Sequence, residues 1–136
     1  MANIRAYFTI AGFAGHPSEV TKILGIEPDD SAPSGERRKR QAGGGYYDVK
    51  ESFWEIRSGI EESNSIEDYI EDLVQKIKEF IPRLANIPGP IKENAEFNIV
   101  VVIGIRPEAP LPGLILRPDT MNFLSQNGIT LVFDMN

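Results

Sequence analysis

At 136 residues, 41% apolar and with a formal net charge of −6, the chain has the size and composition of one packed domain spanning 1–136, and its acidity argues against non-specific binding to nucleic acid. It contains no Cys, which excludes disulfides, thiolate catalysis and Cys-based zinc or iron–sulfur sites, and it has no apolar run long enough to cross a bilayer. The opening Met1-Ala2-Asn3-Ile4-Arg5 lacks the apolar region of a signal peptide, so a cytoplasmic protein with no membrane partner is expected.

Ile4, Ala6, Phe8 and Ile10 alternate with Arg5, Tyr7 and Thr9, which predicts a half-buried first strand. After the turn Ala11–Gly15, His16 stands at an N-cap position, Pro17 at N1 and Glu19 at N3; Val20, Ile23 and Leu24 supply a short apolar stripe, and Gly25 is the expected stop. Pro28 to Gly45 reads as a Gly-rich, basic loop in which Glu36 to Gln41 suits a charged edge strand. Ala42 to Gly45 then turns the chain, and a strand is expected from about Val49 to Ser58, with Trp54 and Ile56 facing the core and the basic run paired to it as a hairpin.

Ser63-Asn64-Ser65 opens a long helix, with Glu67 as capping-box partner of Asn64. Ile66, Tyr69, Ile70, Leu73, Val74, Ile77, Phe80, Ile81 and Leu84 keep helical spacing, and Pro82 should kink or end the helix. Phe97 to Ile105 is almost wholly apolar and reads as a central strand. A stiff loop with Pro107, Pro110 and Pro112 comes next, then Leu114-Ile115-Leu116 as an apolar covering segment, a helix from Pro118 to about Gly128, and a last strand carrying Ile129, Leu131 and Phe133. No internal repeat is present. The order β-α-β-β-α-β then α-β predicts an α+β fold: a ferredoxin-like core with an added C-terminal αβ, a mainly antiparallel sheet, and helices packed on one face.

Several of these segments carry a family resemblance: Tyr7-Phe8 in the first strand, Pro17 to Pro28 with its Leu-Gly-Ile-x-Pro ending, Gly35, Trp54 with Ser58, and Gly128-Ile129. With them the chain resembles the bacterial domain-of-unknown-function family 4279 over most of its length. The resemblance implies no particular reaction or cofactor, and as a class it implies a toxin-neutralising, immunity-type protein. The basic run Arg37-Arg38-Lys39-Arg40 is a departure from the family pattern.

No catalytic constellation stands out. His16, the single His, is either a general base or metal ligand or an N-cap ahead of Pro17, and the lack of companion ligands favours the cap. Glu61-Glu62 and Asp68/Asp72 lie off the apolar stripe and read as the solvated face of the long helix rather than an acid/base or metal pair. Gly43-Gly44-Gly45 lacks the Lys-Ser/Thr of a phosphate loop, and Gly12 with Gly15 reads as a turn rather than an anion cradle. The candidate binding residues are therefore Arg37, Arg38, Lys39 and Arg40, with Tyr46, Tyr47 and Arg57; no catalytic residue, metal ligand or cofactor is assigned.

The expectation is a non-enzymatic interaction module recognising an acidic protein partner through the basic hairpin. An enzyme or small-ligand domain with a pocket between the sheet and residues 27–47, lined by Tyr46, Trp54 and Arg57, is the alternative. Nucleic-acid binding through the basic run is a second one, disfavoured by the seven acidic side chains facing two lysines in residues 61–79. The sequence does not fix the oligomeric state; a dimer is compatible with it.

Overall fold

The computed structural model describes residues 3–63, 65–104, 108 and 112–135. Its elements are β1 (Asn3–Ala11), α1 (Pro17–Leu24), β2 (Asp30–Ala32), β3 (Arg37–Lys39), β4 (Tyr46–Asp48), β5 (Phe53–Arg57), α2 (Ile66–Leu84), α3 (Gly89–Lys92), β6 (Glu96–Gly104), α4 (Pro118–Gln126) and β7 (Ile129–Met135). The fold is α+β. A five-stranded sheet runs β2-β5-β1-β6-β7, and β3 with β4 forms a separate two-stranded ribbon. Pairing is antiparallel throughout except between β6 and β7, which are parallel, so the main sheet is mixed.

Period-two alternation decides which face of β1 is buried. Ile4, Ala6, Phe8 and Ile10 enter the core with Trp54 and Ile56 of β5 and Ile99, Val101 and Ile103 of β6. α2 covers this face with Ile70, Leu73, Val74, Ile77 and Phe80; the Phe80 ring lies 6.0 Å from Phe8 and meets Trp54 edge-on at 6.1 Å. α1 lies beside α2. Its N-cap is His16, whose Nδ1 accepts the Ser18 N–H at 3.1 Å, and the chain leaves the helix through Gly25 at φ 73°. Arg83 of α2 donates to the freed Leu24 carbonyl at 2.7 Å, tying the two helices together.

Several expectations are corrected. The Trp strand begins at Phe53 rather than Val49, and its hairpin-side neighbour is β2, with Ser31 opposite Trp54. The basic run pairs instead with Tyr46–Asp48, because the tip from Arg40 to Gly45 is short enough to fold the chain straight back along β3. Between β4 and β5 the chain bends at Lys50–Ser52, where the buried Ser52 hydroxyl donates to the Phe13 carbonyl at 2.5 Å. Pro82 sits inside α2, which ends shortly after it at Leu84, about where it was expected to.

The N-cap of α2 is Ser65, with no side-chain cap bond; Asn64, proposed as the capping-box residue, lies outside the described residues, as do Ile105, Pro107 and Pro110. The acidic residues of α2 are not a purely solvated face. Asp72 accepts from the Gly59 N–H (2.8 Å) and the Ser58 hydroxyl (3.0 Å). Burial pushes its carboxyl up, but these bonds and nearby Lys76 outweigh that and hold it below its ordinary value. Glu71 accepts from the buried Thr120 hydroxyl and so joins α2 to α4, while Asp68 takes the Ser63 hydroxyl at 2.5 Å. Leu114 and Ile115 are exposed; of the expected covering segment only Leu116 packs on the core.

Candidate interaction surface

The β3-β4 ribbon grows out of the β2-β5 edge of the main sheet. Gly43, Gly44 and Gly45 all have φ between 68° and 81°, a conformation that costs a residue with a Cβ, and the Arg40 N–H closes the turn on the Gly45 carbonyl at 2.9 Å. Below the strands the ladder continues through Gly35 N–H to Val49 carbonyl (2.7 Å) and Val49 N–H to Glu36 carbonyl (2.8 Å). Residues 37–39 are therefore ordered strand, not free loop.

The register sets Arg37 opposite Asp48, Arg38 opposite Tyr47 and Lys39 opposite Tyr46. Alternation then divides the ribbon. Arg37, Lys39, Tyr46 and Asp48 share one face; Arg38, Arg40 and Tyr47 share the other. The two faces are used differently. Arg38 turns back onto the main sheet: it donates to both Asp30 oxygens (3.1 and 3.2 Å), to Glu36 (2.7 Å) and to the Ser31 carbonyl (2.7 Å), with its guanidinium 5.4 Å over the Phe53 ring. The hydrogen bonds it donates to Asp30 and Glu36 hold it in the charged form, well above the ordinary arginine value. Arg38 is thus a clamp between ribbon and sheet.

The remaining basic residues point outward. Arg37 stacks on Tyr46 at 4.8 Å and Arg40 on Tyr47 at 5.7 Å, and the rings themselves are 57% and 40% exposed. Stacking on a ring face leaves the edge N–H groups of a guanidinium available to carboxylates, and it stiffens a long side chain before any partner arrives. Lys39 is exposed on the Tyr46 face.

Arg57 does not join this group. It lies on the open face of the sheet, opposite Tyr7, where its Nε donates to Glu55 at 3.2 Å. There it helps line a groove of about 700 Å³ with Arg5, Tyr7, Gln41, Glu55 and Asp134. Burial pushes the Glu55 carboxyl up; Arg57 draws it back, Asp30 and Asp29 push it further, and it stands above its ordinary value. The Tyr7 phenol is also raised, first by burial, then by Glu55 and Asp134 against Arg5. The pocket expected among Tyr46, Trp54 and Arg57 does not form: Trp54 is fully buried on the helix side, Arg57 is on the opposite side, and Tyr46 is out on the ribbon.

Sequence reasoning missed Asp30, Glu36, Tyr7, Glu55 and Gln41. Signals existed for three of them: Glu36 and Arg38, like Glu55 and Arg57, are two apart in extended chain and so share a face, and the alternation of the first strand sets Tyr7 on the open side. Asp30 reaches Arg38 only through tertiary structure. No curated protein and no solved structure matches the chain. The model of the domain-of-unknown-function family DUF4279 matches residues 2–136, and the chain belongs to that family.

Proposed function

We propose that the protein is a non-enzymatic interaction module that recognises an acidic protein partner through the outer face of its basic ribbon. The observation that carries this reading is the division of labour among the four basic residues. Arg38 is spent on holding the ribbon, while Arg37 and Lys39 remain exposed on the outer face, Arg37 pre-stacked on Tyr46, and Arg40 lies exposed against Tyr47 at the start of the tip. An acidic protein is favoured over nucleic acid because the chain is net −6 and α2 is rich in carboxylates that would repel an extended polyphosphate. An immunity-type protein that blocks a partner by covering its surface, in a bacterial cytoplasm, suits this reading. We further read β1-α1-β2-β5-α2-β6 as a ferredoxin-like core with the ribbon inserted between its second and third strands; the order β2-β5-β1-β6 supports it.

Reversing Arg37 and Lys39 together to Glu should abolish capture of an acidic protein from native lysate, with the denaturant midpoint unchanged, and added salt should weaken capture by the unaltered protein. Equal capture by both forms at ordinary salt overturns the reading. The groove lined by Tyr7, Gln41, Glu55 and Arg57 favours a second reading, a small-ligand site on the open sheet face. Loss of a bound small molecule on Arg57→Ala, with partner capture intact, would move the function there.

A further inference from the structure

We infer that the protein forms a two-fold dimer by antiparallel pairing of β7 with the β7 of a second copy. β7 is the outer strand of the main sheet, hydrogen-bonded to β6 on one side, and among the described residues no strand pairs with its other edge. Exposed edges are ordinarily blunted by being short, or by Lys, Pro or a bulge. The opposite edge of the sheet is blunted in this way: β2 has three residues and is covered by the Arg38 clamp. β7 is seven residues long, contains no Lys, Pro or Gly, and carries a single charge, Asp134. Three of its apolar side chains are left outside, with Val132 37%, Phe133 40% and Met135 50% exposed, while Ile129 is buried and Leu131 partly so.

The sequence of the strand is self-complementary in one register. A two-fold axis through Val132 sets Ile129 opposite Met135, Thr130 opposite Asp134, Leu131 opposite Phe133, and Val132 opposite its own copy. The parallel pairing with β6 fixes the faces: Leu131, Phe133 and Met135 lie beside Ile99, Val101 and Ile103 on the helix side, and Thr130 and Asp134 lie on the open side. Each cross-strand pair is then apolar with apolar, or a hydroxyl facing the one carboxylate. An axis through Asp134 would instead oppose two carboxylates, and other axes leave part of the strand unpaired. Those features select a second copy of this chain over a foreign strand. The product is a continuous sheet of ten strands with the two basic ribbons at its far ends.

The test uses the full chain. Sedimentation should give a mass twice 15.1 kDa at micromolar concentration, and Val132→Lys, which sets two ammonium groups face to face on the axis, should give the monomer with its far-ultraviolet spectrum unchanged. The chain has no Cys, so single cysteines report the register. Val132→Cys should cross-link two copies on mild oxidation, because directly opposed residues lie about 4.5–5.5 Å apart, within disulfide reach. Thr130→Cys should not, since its own copy would be about 14 Å away along the strands. A monomer at every concentration overturns the inference. So does a dimer that persists in Val132→Lys, or one in which Thr130→Cys links and Val132→Cys does not.

Discussion

Trp54 has no exposed surface, packs edge-on against Phe80, and donates its indole N–H to the Thr21 hydroxyl of α1 at 3.0 Å. One side chain therefore joins the sheet to both helices. Trp54→Ala should lower stability by roughly 3–5 kcal/mol, through lost transfer energy and the cavity left behind; equilibrium urea unfolding checks it, and an unchanged midpoint would mean that the ring is not buried. The burial was legible, because Trp54 and Ile56 alternate with Glu55 and Arg57. The hydrogen bond was not. Thr21 lies off the apolar stripe of α1 and 33 residues away in sequence, and no local pattern relates the two. Glu55 is a similar case: the alternation places it on the open face beside Arg57, but only the assembled sheet buries it and brings Asp30 and Asp29 near, which together push its carboxyl up.

Among the elements, the long helix was the most legible and the basic ribbon the least. α2 repeats its apolar residues at helical spacing for nineteen residues, so one rule settles its type and its buried face. The ribbon depends on a choice of partner. The stretch from Val49 through Trp54 to Ser58 reads as one strand, and the break at Lys50–Ser52, where the buried Ser52 bonds to Phe13, is announced by no residue nearby. The clamp by Arg38 depends on that pairing and separates its role from its neighbours'. Arg38→Ala should destabilise the domain by about 1–3 kcal/mol, since charge-assisted bonds to Asp30 and Glu36 are lost and the Ser31 carbonyl loses a donor. Arg38→Lys should recover only part, because an ammonium cannot reproduce the forked contact with Asp30. Arg37→Ala should stay within about half a kcal/mol. Thermal and urea midpoints of the three variants measured side by side decide the matter; equal losses for Arg37→Ala and Arg38→Ala would remove the clamp.

At the scale of the whole molecule, the order of elements was readable from periodicity and turn residues, and so was an α+β fold with helices on one face. The parallel placement of β7 beside β6 and the separation of the ribbon from the main sheet were not, because each depends on which strands choose one another across long stretches of chain. β1 is the clearest instance of such a choice. It is the middle strand of the sheet, with Tyr7 to Ala11 paired to β5 and all nine residues paired to β6, Ala11 with Glu96 and Asn3 with Gly104. A chain ending at Ala95 should consequently lack fixed tertiary structure despite keeping both major helices, as near-ultraviolet circular dichroism would show; a native-like spectrum would mean that β6 is dispensable. The same pairing puts synthesis and folding out of step. β1 leaves the ribosome early, but one of its edges stays open until β6 has emerged, and long-range pairings of this kind form slowly. Throughout that interval Phe8, Ile10 and the apolar stripe of α2 stand ready for the wrong neighbour. Of the strands of this domain, the earliest in the chain is thus among the last to be enclosed.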